Sequence, residues 1–177
     1  MQEQAREAVS HFELEGVTGE PRPFGSGHIN DTFLVEGEKR CVLQRMNRTI
    51  FSSPGEVMEN IVGVTEFLKK KIAANGGDVM RETLTVIPTR EGKSFYQDTQ
   101  GECWRMYYLI EGALSYDRVE RDEDFYESAL AVGNTKGQLS RFQHIAQYAG
   151  NLFPGTEEFD FFLCILRPVA HILFHRF

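Results

Sequence analysis

Glycines that let a backbone turn sharply, set close to hydrogen-bond donors on a neighbouring strand, are one means of holding an anion. This chain has such a grouping near its start. Gly25, Ser26 and Gly27 open the stretch Gly-Ser-Gly-His-Ile-Asn, which His28, Ile29 and Asn30 complete, between strand-like residues. Glycine adopts conformations closed to other residues and lets a ligand approach the backbone, so the N–H groups of such a loop can point at phosphate oxygens. The same Gly-Ser-Gly can equally be a plain turn. No Gly-Lys-Ser/Thr follows and the next element reads as a strand, so this is not the phosphate loop that opens a helix. Further along, Gln44 and Arg45 stand on a strand of their own. Alternation puts Arg45 with Leu43 and Cys41 on one face and Gln44 with Val42 on the other, so only one of the pair can meet a ligand held by the loop. Arg45 is the expected phosphate contact, with a solvated outer position as the alternative.

The elements needed to position these residues are legible as patterns. Residues 2–15 read as a short helix with Ala5, Ala8, Val9 and Phe12 on one face and Gly16 as its stop. A connector with two prolines leads into an edge strand ending at Phe24. Thr32-Phe-Leu-Val35 and Arg40-Cys-Val-Leu-Gln-Arg-Met46, joined by Glu36-Gly-Glu-Lys39, predict an antiparallel hairpin. Next comes a helix with Pro54 in its first turn and Ser52 or Ser53 as its cap. Val57, Ile61, Val64, Leu68 and Ile72 form its buried stripe, and Asn75-Gly-Gly77 ends it. Residues 84–97 read as a second hairpin about Arg90-Glu-Gly-Lys93. Residues 103–110 form a strand rich in aromatic and branched side chains. The expected class is α+β, a five-stranded antiparallel sheet with one packed helix. Residues 122–142 predict a further amphipathic helix, weakened by Gly133 and Gly137. No periodicity is evident beyond residue 143.

A glycine loop in a hairpin, a polar partner on the next strand and a helix behind it are the arrangement with which protein-kinase-like folds hold a nucleotide. On the helix, Glu59 lies roughly opposite the apolar stripe and is expected in solvent. Asn60 lies nearer the buried side and is the better candidate for an inward polar role. The strand end Tyr107-Tyr-Leu-Ile-Glu-Gly112 reads as a hinge whose backbone at Ile110 and Gly112 would pair with adenine, or simply as a hydrophobic central strand.

Taken together, Gly25-Ser-Gly-His-Ile-Asn-Asp-Thr-Phe-Leu-Val35, Val42-Leu-Gln-Arg-Met-Asn47, Val57-Met-Glu-Asn-Ile61 and Trp104-Arg-Met-Tyr107 resemble the bacterial N-acetylhexosamine 1-kinases. Those enzymes belong to the aminoglycoside phosphotransferase (choline kinase-like) family. The resemblance covers about residues 8 to 142. It implies a kinase-like N-terminal lobe over residues 1–112, a hinge and first helix of a C-terminal lobe over 113–142, and an atypical, poorly ordered tail over 143–177. It also implies transfer of the γ-phosphoryl group of ATP, with Mg²⁺, to the anomeric hydroxyl of a sugar such as GlcNAc. Residues 25–30 would cover the nucleotide phosphates. His28 would touch the sugar, or else bond its own backbone as a turn residue.

The family draws its catalytic Asp, its Asn and its metal-binding Asp from the C-terminal lobe, in a His-x-Asp segment followed by an Ile-Asp-hydrophobic-Asp segment. After Phe142 this chain has only Asn151 and Asp160, neither in such a context. Two lobes would need roughly twice this length. The expectation is therefore a fragment, or a frame change near residues 135–143, that is inactive as this chain. Its exposed lobe face would invite self-association. A non-catalytic nucleotide-binding module, or a kinase-like protein for another small alcohol such as choline, homoserine or an aminoglycoside, are the competing readings.

Composition sets the outer limits. The 177 residues carry 26 acidic against 19 basic side chains, for a net charge of −7, with no basic cluster beyond Lys69-Lys70-Lys71. Nucleic acid and anionic membrane are poor partners for such a surface. The apolar run over residues 159–174 is interrupted by Asp160, Arg167, Pro168 and His171, so no membrane span is expected. Cys41, Cys103 and Cys164 have no metal-ligand spacing and read as free thiols of a cytoplasmic protein.

Overall fold

Nine residues are too few for a stable helix in water, so the first helix must be held by what it packs on. In the computed structural model, which describes residues 1–25 and 29–112, helix α1 (Gln2–Ser10) lies on an antiparallel sheet. Its Ala5, Ala8 and Val9 share a core with Phe12 and with Phe33, Val35, Cys41, Leu43, Ile87, Trp104 and Met106. Small side chains at positions 5 and 8 let the helix axis approach the strands closely.

The sheet has six strands: β1 (Arg22–Pro23), β2 (Asp31–Val35), β3 (Cys41–Arg45), β4 (Val86–Ile87), β5 (Tyr96–Gln97) and β6 (Cys103–Tyr108). The order is β1-β2-β3-β6-β4, with β5 also paired to β6. The α+β class is as expected, with β1 as a sixth strand at the edge. Registers align Phe33, Leu43, Met106 and Ile87 in one row, and Leu34, Val42, Tyr107 and Val86 in the next. The first row faces α1. Full burial of each large apolar side chain in it stabilises the fold by roughly 1.5–3 kcal/mol.

Two expectations are corrected. Residues 84–97 are not a hairpin. Trp104 and Met106 pair with β3 on one side and with Tyr96 and Ile87 on the other. Strands β4 and β5 therefore lie end to end along the same edge of β6, interrupted by an excursion of the chain. That excursion explains the second correction: α1 stops at Ser10 instead of running on to residue 15. Arg90 N–H bonds His11 O (2.9 Å), Glu13 N–H bonds Pro88 O (3.0 Å), and Phe12 bridges Thr89. Backbone pairing with the excursion replaces the helical bonds, while Phe12 stays fully buried.

The described residues divide into two compact units, Met1–Gly63 with Thr85–Leu109, and Val64–Leu84 with residues 110–112. Helix α2 (Pro54–Ala74) runs from one into the other. Val57, Met58 and Ile61 are buried in the first unit. In the second, Val64, Leu68 and Ile72 cluster with Phe67 and Val79. Gly76, at φ +73, ends the helix: its N–H reaches Ala73 O (3.0 Å) while Gly77 N–H reaches Ile72 O (2.9 Å). Those two bonds satisfy carbonyls that the helix itself leaves unpaired. A single-turn helix α3 (Val79–Glu82) follows, capped by the Asp78 carboxylate on Met80 N–H. No helix among the described residues is long and apolar enough to cross a membrane. The expected helix over 122–142 and tail over 143–177 lie outside the described residues.

Candidate functional site

The loop expected to hold an anion connects β1 to β2. Its last rung is Phe24 N–H to Thr32 O (2.9 Å), after which Gly25 leaves the ladder at φ +80. Only glycine takes that conformation without steric cost, and a Cβ placed there would meet no atom within 4 Å, so the backbone is open to approach. Ser26, Gly27 and His28 lie outside the described residues. Ile29 and Asn30 bring the chain back, both half-buried. The Asn30 carboxamide oxygen accepts from Asn47 N–H (3.0 Å), just beyond the end of β3. The returning end of the loop is thus tied to the strand that carries Gln44 and Arg45.

Those two residues face opposite ways, as alternation requires. Arg45 is on the α1 side, level with Asp31 and Trp104. Its Nε and Nη2 both donate to Asp31 Oδ2 (2.9 and 2.6 Å), and its Nη1 lies 3.7 Å from Glu102. Gln44 is on the other side, level with Thr32 and Arg105. There a row of hydrogen bonds crosses three strands. Arg105 Nε and Nη2 donate to Gln44 Oε1 (3.0 and 2.8 Å), and Gln44 Nε2 donates to Thr32 Oγ1 (3.1 Å). Thr32 Oγ1 in turn donates to Asn30 O (3.4 Å) at the base of the loop. Arg105 is only 8% exposed, and burial of a guanidinium demands such partners. Tyr107, next along the same face, has its phenol pushed up by burial, an effect the Arg105 charge opposes.

Asn60 is half-buried while Glu59 is exposed, the order expected from the helix arithmetic. Gly25, Ile29, Asn30, Gln44, Arg45 and Asn60 all belong to the first unit, whereas Ile110 and Gly112 belong to the second. The division falls between Leu109 and Ile110, directly after Leu109 N–H bonds Arg40 O (2.8 Å). Gly112 has φ +72. Among the described residues no group of three or more His, Cys, Asp or Glu side chains could hold a metal ion. Cys41 and Cys103 are buried free thiols.

Arg105 and Thr32 were not among the expected site residues. Their parity within β6 and β2 was readable, but not the register that sets them level with Gln44. Two clefts, of about 320 and 630 Å³, lie beside α1 and the segment that follows it. Arg90 and Leu14 line both, and no described residue of the loop or of β3 lines either.

No family model matches the chain. Among solved structures it is similar to spectinomycin phosphotransferase, APH(9)-Ia, in complex with ADP and spectinomycin. There the identity is 14%, over 73% of this chain and 36% of that one, with a TM-score of 0.42. It is also similar to a microcompartment-associated aminopropanol kinase, at 16% identity over 77% of this chain and 40% of that one, with a TM-score of 0.49. The chain therefore spans about two fifths or less of the length of each.

Proposed function

We propose that residues 1–112 are the nucleotide-binding lobe of an ATP-dependent kinase for a small alcohol. The motifs quoted above favour the anomeric hydroxyl of an N-acetylhexosamine as the acceptor. The observation that carries this reading is the connection between β1 and β2. It opens on Gly25 in a conformation reserved for glycine, and its base is bonded to the residue just beyond β3 through Asn30 and Asn47. Backbone N–H groups of a glycine-rich turn suit an anion of high charge, as the phosphates of a nucleotide are. In this reading residues 25–30 cover those phosphates, His28 meets the sugar, Asn60 supplies a polar group from α2, and the backbone of Ile110 and Gly112 receives adenine. The Asp and Asn of phosphotransfer, and the Mg²⁺ ligands, come from a C-terminal lobe of the family's kind, which the residues after Phe142 do not resemble. The chain then binds nucleotide weakly and does not turn it over.

The test is a titration of the 177-residue protein with MgATP, MgADP and adenosine, followed by NMR chemical shifts, beside an assay for ADP release with GlcNAc. Expected are saturable shifts that are stronger for ATP than for adenosine, and no ADP above blank. Shifts that fail to saturate at millimolar nucleotide would overturn the lobe assignment. ADP release dependent on GlcNAc would overturn the claim that the catalytic groups are missing.

A further inference from the structure

We propose that the β3 donor that meets the nucleotide phosphates is the Gln44 amide, held in the required orientation by Arg105, and that Arg45 takes no part. The inference rests on the nucleotide-lobe reading and adds to it a phosphate donor and a positioning residue.

Arg45 fails on side and on charge. It lies level with Asp31, Trp104 and Tyr96 on the face that α1 covers, and two carboxylates, Asp31 and Glu102, already surround its guanidinium. Gln44 lies on the opposite face in the row that leads to the loop. Its amide has an oxygen and an NH₂ group, and only chemistry decides which way they point. Arg105 decides it. A guanidinium is a donor without acceptor capacity, and it directs two N–H groups at the Gln44 side chain at 2.8 and 3.0 Å. A flipped amide would set donor against donor beside a buried cation. The oxygen is therefore fixed toward Arg105 and the NH₂ group toward Thr32 and the loop. One N–H of that group goes to the Thr32 hydroxyl. The other has no partner among the described residues, and Gln44 is only half-buried. The guanidinium bonded to its oxygen withdraws electron density from the amide and strengthens the remaining N–H as a donor. Thr32 also bonds Asn30 O, so the same row sets the donor and the foot of the loop in register.

The decisive variant is Gln44→Glu, which keeps the shape, gives Arg105 a carboxylate partner, and turns a donor toward phosphate into an anion. Its thermal midpoint should equal or exceed that of the parent. Its affinity for MgATP should fall about tenfold or more, the usual effect of losing a hydrogen bond to a charged group, while its affinity for adenosine stays the same. Arg105→Lys keeps the charge but not the two-pronged geometry. It should lower affinity for ATP in preference to adenosine, which a merely structural role would not do. Arg45→Gln should bind ATP like the parent. If Arg45→Gln loses ATP affinity while Gln44→Glu keeps it, or if ATP and adenosine weaken alike in Gln44→Glu and Arg105→Lys, this inference is overturned and the lobe reading stands. If the parent protein binds no nucleotide, both fall.

Discussion

The two faces of the sheet are built by the same strands and stabilised differently. On the α1 side, Phe33, Leu43, Met106 and Ile87 stand in a row of hydrocarbon, and the neighbouring row sets buried Trp104 between Arg45 and Tyr96. On the other side an apolar row, Leu34 with Val42 and Tyr107, is followed by Thr32, Gln44 and Arg105, joined by hydrogen bonds. Hydrocarbon packing is worth roughly 1.5–3 kcal/mol per large side chain, whereas a hydrogen bond nets about 1 kcal/mol because water competes for both partners. The α1 face should therefore contribute more to the stability of the fold than the hydrogen-bonded row opposite it.

The largest expected effect is on the α1 face. Trp104 is fully buried against Phe33, with ring centroids 6.2 Å apart. Trp104→Ala should cost about 3–5 kcal/mol, the range for large-to-small changes at aromatic core positions. Urea unfolding followed by far-UV circular dichroism measures it. If Thr32→Val on the opposite face cost as much, the division of labour between the faces would be wrong.

A smaller loss is expected where the same indole meets a turn. Trp104 Nε1–H donates to Asp98 Oδ2 (3.0 Å), while Asp98 Oδ1 accepts from the N–H groups of Gln100 and Glu102 (both 2.9 Å). Asp98→Ala leaves the buried indole N–H without this partner and loosens the β5–β6 connection. The cost should be about 1–3 kcal/mol, that of one unsatisfied buried donor. The same unfolding curves read it, and a value near zero would mean that water or another acceptor replaces the carboxylate.

These contrasts also mark what the sequence made legible. The amphipathic spacing of Ala5, Ala8, Val9 and Phe12 announced a helix face, and those residues are buried on the sheet. Alternation separated Gln44 from Arg45, because parity within a strand follows from pleat geometry alone. Register does not. Nothing local sets Gln44 level with Arg105, 61 residues further on, so the hydrogen-bonded row was invisible. The same blindness misread residues 84–97. Two apolar runs about a glycine turn look alike whether they pair with each other or both pair with β6. The end of α1 at Ser10 depended on residues 88–90, again a partner far along the chain.

The smallest effect should appear only in alkali, and it compares a thiol on each face. Cys41 lies in the α1 core, where burial pushes its thiol from the ordinary 9.0 to about 11. Cys103 points the other way. Burial raises it too; the charge of Arg48 acts in the opposite sense, while the carboxylates of Glu102 and Asp98 add to the rise. For Cys41 the folded state favours the neutral thiol, so the unfolded chain loses its proton first as pH rises. The stability this supplies is intact below about pH 9, falls between about 9 and 11, and changes no further above that. Urea midpoints measured at intervals from pH 8 to pH 11 should decline more steeply for the parent than for Cys41→Ala, whatever the offset between the two at pH 8. Alkylation located by mass spectrometry should reach Cys103 before Cys41 as pH rises. Equal slopes, or Cys41 reacting first, would mean that the α1 face admits water more readily than its packing implies, and the contrast between the faces would lose its physical basis.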